Sequence, residues 1–171
     1  MNHKIMNTEE LKKLQAPLKE KYRTNPETAI ITLKAKGNLG QNISCSVETG
    51  RAMAKAGLHP ATGGDGSLAC SGDLLLQALA ACAGVTLCSV ATAIGVNVKN
   101  GSVEAEGDLD FKGTLSISKE VPVGFKNIRL SFNLDCDADE EAKKTLLKLT
   151  ERYCVVLQTI ISATPVDSKI L

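Results

Sequence analysis

Tryptophan is absent, and aromatic residues make up only 3% of the chain. Surfaces that bind bases by stacking depend on aromatic faces, so single-stranded nucleic acid and sugar platforms lose their usual means of recognition. An excess of charge is missing as well. Twenty Lys and Arg stand against 19 Asp and Glu, a net charge of +1. That balance gives no pull toward nucleic acid or an anionic membrane, and neither partner is expected. Histidine occurs only at His3 and His59, and there is no GxSxG elbow, which removes the common Ser–His–Asp hydrolases. A Cys–His protease would rest on His59 alone. The six cysteines, at 45, 70, 82, 88, 136 and 154, contain no CxxC pair, which argues against a zinc ribbon or a thioredoxin-type motif. The N-terminal MNHKIMNTEELKKLQ has no apolar signal core, and six cysteines in 171 residues are too sparse for a disulfide scaffold. Reduced thiols in a cytoplasmic protein are the expectation.

Two further motifs fall short. GGDG, at 63–66, lacks the Lys-Ser/Thr of a phosphate-binding loop. DCDADEE, at 135–141, lacks the central Gly and terminal Glu of a calcium loop and reads better as a charged helix start. No metal and no bound cofactor are expected.

Against these absences stands one long apolar segment. No charge occurs between Asp73 and Lys99, a span of 25 residues. Gln77, Thr86, Ser89, Thr92 and Asn97 interrupt it, along with six alanines and two glycines, and no basic or aromatic belt flanks it. It reads as a buried helix from about Ser71 to Ile94, stopped near Gly95, and not as a membrane span. Its apolar character on nearly every face suits a central helix or a dimer seam, so a homodimer is expected.

Residues 1–25 form an amphipathic helical arm. Thr8 serves as its cap, Leu11, Leu14, Leu18 and Tyr22 as its apolar stripe, and Pro17 as a kink or break. Residues 26–171 form a single domain. Within it, 28–35 and 43–48 are expected strands joined by a GNLGQN turn, and 51–72 is loop-rich. Residues 102–111 and 128–136 alternate apolar and polar, the pattern of a half-buried antiparallel sheet, with a further strand in TLSIS after Gly113. Asp137 and Glu140 resemble a capping box for a helix over about 138–152, CVVLQTIIS reads as a further short helix or a turn-offset continuation, and a short end strand is expected after Pro165. Clustered strands and clustered helices make the class α+β, with the long helix against a curved antiparallel sheet.

The chemistry falls to the thiols. Cys45 and Cys136 lie on apolar strand faces and are expected to be core. Cys82 sits in the middle of the uncharged helix, where an unaided buried thiol is inert. Cys154 follows Glu151, Arg152 and Tyr153 at a helix junction, a setting that favours thiolate. Two cysteines can act as nucleophile and resolving partner, but spacing alone does not show which of them meet.

The segment CSGDLLLQALAACAGVTL, followed some seventy residues later by ERYCVVLQT, resembles the OsmC/Ohr family of thiol-dependent organic hydroperoxide reductases. The resemblance runs from about residue 28 to the end. It implies an α+β fold, an intertwined homodimer with two sites at the subunit interface, and no bound cofactor. It implies Cys82 as the peroxidatic cysteine, Cys154 as the resolving one, and an external dithiol reductant, of lipoyl type in several members. The family often carries Pro-Glu at the start of the central helix, with the Glu helping to position an Arg. Here the Glu position falls on Gly72, with Asp73 beside it. Arg51 is the only arginine between Arg23 and Arg129 and so the candidate cation, while His59 and Asp65 are further polar candidates. Leu75, Leu79 and Val156 would favour a small hydrophobic peroxide as substrate. The other class of function that fits is a redox sensor or a dimer binding a small electrophile, with Cys82 an ordinary core thiol.

Overall fold

Asn7 opens the first helix with a reciprocal pair of hydrogen bonds. The Glu10 N–H donates to Asn7 Oδ1 at 2.9 Å, and the Asn7 N–H donates to Glu10 Oε2 at 3.1 Å. This is a capping box, and it places the cap one residue before the expected Thr8. Thr8 instead donates its hydroxyl to the Thr92 carbonyl at 2.8 Å. The helix, α1, runs Thr8–Thr24 straight through Pro17, so the expected split does not occur. The computed structural model describes residues 7–25, 36–39, 44–49 and 52–170. The strand expected over 28–35 lies outside them.

Four strands follow: β1 Lys36–Leu39, β2 Ser44–Thr49, β3 Ala52–Gly57 and β4 Ala69–Cys70. They form one sheet in sequence order. β1 and β2 pair antiparallel with Lys36 opposite Glu48, and β2 and β3 antiparallel with Ser44 opposite Gly57. β4 joins β3 in parallel through Ala69 and Cys70. Part of the expected GNLGQN turn is therefore strand β1, and the region expected to be loop holds β3 and β4. Gly and Ala supply no apolar alternation in AMAKAG, which hid β3 from a pattern reading.

The long helix α2, Ser71–Ile94, matches its expected bounds. It ends in a Schellman motif. Gly95 adopts φ +77, and the Val96 N–H reaches the Ala91 carbonyl at 2.9 Å. Then come β5 Val98–Asp108, the single turn α3 Phe111–Thr114, β6 Asn127–Cys136, α4 Glu140–Tyr153 and α5 Val155–Ile161. β5 and β6 form a two-stranded sheet. The Lys126 N–H donates to the Asp108 carbonyl at 2.8 Å, and Lys99 meets Asp137 at 2.8 Å, which fixes the pair as antiparallel. Arg129 adds a bidentate contact to Asp108 and a 3.2 Å contact to Glu106. These exposed ions pin the pairing without adding much stability.

TLSIS does not form the expected strand. Asp110 Oδ1 accepts the Lys112 N–H at 3.1 Å and turns the chain into α3, ahead of Ser116 at φ +58. The α4 cap is Asp139, accepting from the Ala142 N–H at 2.8 Å, and not the expected Asp137. Residues 164–170 carry no strand.

The chain divides into two compact units. One holds residues 1–26, Ala78–Val103 and Ser131–Leu171. Its core is Leu87, Val90, Ala91 and Leu146, with Val96, Val98, Phe132, Leu134 and Leu149 packed around them. The other holds Glu27–Gln77 and Glu104–Leu130. There, buried Gly113 is pressed against backbone. A Cβ would lie 2.6 Å from the Pro122 carbonyl oxygen and 2.8 Å from that of Val121. Gly113→Ala should therefore destabilise the protein by about 1–3 kcal/mol. In urea unfolding it should lower the midpoint at unchanged slope, and an unchanged midpoint would contradict the packing described.

Candidate functional site

Cys154 is the point at which one helix stops and the next begins. It is both the C-cap of α4 and the N-cap of α5, with φ −73 and ψ 105, an extended backbone. The Cys154 N–H closes α4 on the Thr150 carbonyl at 2.9 Å, and the Cys154 carbonyl opens α5 by accepting the Gln158 N–H at 2.9 Å. The extended residue leaves the first N–H groups of α5 without carbonyl partners inside that helix. The Cys154 side chain is fully buried.

Cys82 lies in the same unit, mid-way along α2, and is half-buried. Its sulfur receives several donors. Burial alone pushes the Cys82 thiol up, but the Val156 N–H, the Cys154 thiol, the Thr86 hydroxyl and the Val155 N–H outweigh it and bring the thiol below the usual cysteine range. Cys154 moves the other way. Burial pushes it up, and although the Leu157 N–H opposes this, donation to Cys82 and the neighbouring negative charge keep it high. The two thiols are thus near enough to influence one another, Cys82 lowered and Cys154 raised. Of the two, Cys82 is the thiol whose surroundings favour the thiolate. Such a pair can share an oxidation, because a sulfenic acid on one sulfur lies beside a thiol able to displace its oxygen.

Thr86 and the α5 backbone donors belong to the site and were not among the expected residues. Thr86 stands four residues after Cys82, on the same helix face, so its neighbourhood was readable from spacing. The donation from Val155 and Val156 was not, since it depends on the break at Cys154.

His59 and Asp73 come together in the other unit. They line a cavity of about 350 Å³ with Cys70, Leu76, Phe111 and Phe125. His59 Nδ1 caps a short 3₁₀ turn, Pro60–Thr62, by accepting the Ala61 N–H at 3.0 Å. Its ring stacks on Phe111 with centroids 4.8 Å apart. Asp65 serves its own turn. The Ser67 hydroxyl at 2.6 Å and N–H at 2.9 Å hold its carboxyl below the usual carboxylate range. Arg51 lies outside the described residues, as do the side-chain surroundings of Cys45. Cys136 is half-buried on the inward face of β6, and Cys88 is exposed. No cluster of His, Cys, Asp or Glu able to hold a metal ion occurs among the described residues.

An α+β fold with a thiol pair between a long helix and a broken helix defines a class, and the comparisons place the chain in it. The chain belongs to the OsmC-like family, whose model, described as OsmC-like protein, matches residues 64–169. Solved structures share the fold. An OsmC-like protein from Mycoplasma pneumoniae is 16% identical, with 78% of this chain and 89% of that one covered at a TM-score of 0.66. An organic hydroperoxide resistance protein OsmC from Legionella pneumophila is 20% identical, with 77% and 90% covered at 0.61. An organic hydroperoxide resistance protein from Elizabethkingia anophelis is 15% identical, with 78% and 91% covered at 0.62. A search of curated proteins gives no significant match.

Proposed function

We propose that the chain reduces organic hydroperoxides, with Cys82 as the attacking thiolate and Cys154 as the resolving thiol. The family, together with solved relatives named organic hydroperoxide resistance proteins, supports a peroxide-related redox role. The observation that carries the finer reading is the helix break at Cys154, whose freed α5 N–H groups help lower the Cys82 thiol while burial raises that of Cys154. The Cys82 sulfur donates an electron pair to the terminal oxygen of ROOH. The O–O bond breaks, and RO⁻ leaves and takes up a proton as ROH. Cys82 is left as sulfenic acid. The Cys154 sulfur then attacks Cys82, a disulfide forms, and the oxygen departs as water. An external dithiol, proposed to be of lipoyl type, returns both thiols and is itself oxidised to a disulfide.

Cys82 is half-buried on a helix of mostly apolar residues, which favours alkyl hydroperoxides over hydrogen peroxide. Leu79 is fully buried and belongs to the core, and Leu75 is 40% exposed. Arg51, His59 and Asp73 remain proposed contributors to the site.

We propose a cytoplasmic homodimer, with residues 1–25 as an arm outside the catalytic core. Of the described residues, α2 alone forms a helix long and apolar enough to cross a membrane, with 28% of its most apolar window buried. Val85 on α2 is 73% exposed, and Val155, Ile161 and Val166 are also exposed. A second copy covering such residues accounts for them as well as a bilayer does, and agrees with the low net charge.

One equivalent of an organic hydroperoxide should remove two free thiols per chain, and a dithiol should restore both. No loss of thiol would leave a sensor or electrophile-binding dimer as the better reading.

A further inference from the structure

We propose that Gln158 is a positioning residue that holds the break between α4 and α5 open beside the Cys82 sulfur. The inference rests on the reading of Cys82 as the reactive thiolate.

In an unbroken helix the Val155 N–H would donate to the Glu151 carbonyl, four residues earlier. The extended ψ of 105 at Cys154 removes that bond. The N–H groups of Val155, Val156 and Leu157 and the carbonyls of Glu151, Arg152 and Tyr153 all lose their helical partners, and the first such donor and acceptor bear on the site. The donor is the Val155 N–H, the smallest of the influences that lower the Cys82 thiol. The acceptor is the Glu151 carbonyl, and it is taken by the side chain of Gln158, whose Nε2 donates to it at 2.9 Å. The Gln158 main-chain N–H also donates to the Cys154 carbonyl at 2.9 Å. One residue is thereby bonded to the chain on both sides of the break. Its side chain occupies the acceptor that would otherwise recapture the Val155 N–H and heal the helix. Water can satisfy that carbonyl but does not tie it to α5.

The choice of side chain is constrained. The bond spans seven residues across a corner, which takes a long side chain ending in a donor. Leucine has the bulk of glutamine without the donor. Lysine has the reach and the donor.

The test is the pH profile of alkylation by iodoacetamide, read at the Cys82 peptide by mass spectrometry in the intact chain. High salt screens any charge introduced at the site. The wild type should give a midpoint below the ordinary thiol value of about 8.5. Gln158→Leu should raise that midpoint and slow alkylation at neutral pH by up to about tenfold, the factor that one pH unit carries. Gln158→Lys should keep the midpoint near that of the wild type. Should the leucine variant fail to fold by circular dichroism, Gln158→Ser removes the same reach with less bulk. An unchanged midpoint in the leucine or serine variant overturns the role of Gln158 and leaves the thiolate reading standing. A lysine variant shifted as far as leucine also overturns it, because packing and not the hydrogen bond would then be responsible. A wild-type midpoint at the ordinary value overturns the thiolate reading, and this inference with it.

Discussion

Cys82→Ser should end hydroperoxide consumption, with a fall in rate of roughly a thousandfold or more, the scale on which enzymes lose activity when a nucleophile is removed. The reason lies in the acidity of the group and not only in its place. The donors gathered at Cys82 act on a sulfur whose ordinary pKa is close enough to neutrality for a modest downward shift to populate the thiolate. A serine hydroxyl under the same donors stays protonated and does not attack a peroxide oxygen. The half-buried position should accept serine with little disturbance, because Thr86, Cys154 and the α5 N–H groups can all serve its oxygen. Folding should therefore survive, so that lost activity reports chemistry. Consumption by the Cys82→Ser chain at the wild-type rate would remove the peroxidase reading.

Cys154→Ser should behave quite differently. Cys154 is fully buried and donates to the Cys82 sulfur, and a serine hydroxyl can make the same donation. The first turnover should thus proceed within a few-fold of the wild-type rate, but only one thiol should be lost where the wild type loses two. Cys82 should accumulate as sulfenic acid, trapped by dimedone, and pass to sulfinic acid in excess peroxide, since no neighbouring thiol displaces the oxygen. Loss of two thiols in this variant would assign the resolving role to another cysteine, and exposed Cys88 would be the first to examine.

Much of the architecture was legible because its signals are local. The charge-free run and Gly95 located α2, and strict alternation located β5 and β6, although β5 starts four residues earlier and ends three earlier than its pattern. The errors lie where local rules compete. Asp137 and Asp139 both precede the same helix with suitable side chains, and only the backbone geometry at Asp139 selects it as cap. TLSIS has the composition of a strand, yet the turn begun at Asp110 and the close approach at Gly113 decide otherwise. β3, built from AMAKAG, takes its place by pairing with β2 and carries no pattern of its own.

The site divides in the same way. That Cys154 marks a helix junction followed from the sequence around it. That Cys82 and Cys154 belong together came only from the family resemblance, because a contact between residues so far apart in the chain leaves no trace in spacing. The donors at Val155 and Val156 are backbone groups that any residue type would carry. Gln158 gave no signal, because its role appears only once the Glu151 carbonyl has lost its helical partner.

The central claim is that these two thiols form one redox couple, and peptide mapping after a single equivalent of organic hydroperoxide tests it most directly. The protein would be oxidised, its remaining thiols alkylated, and the digest analysed without reduction by mass spectrometry. The account predicts one dominant cross-linked species, joining the peptide of Cys82 to that of Cys154, which disappears on treatment with a dithiol. A map in which Cys82 and Cys154 are both recovered alkylated, or in which Cys82 is joined to Cys70, Cys88 or Cys136, would contradict it.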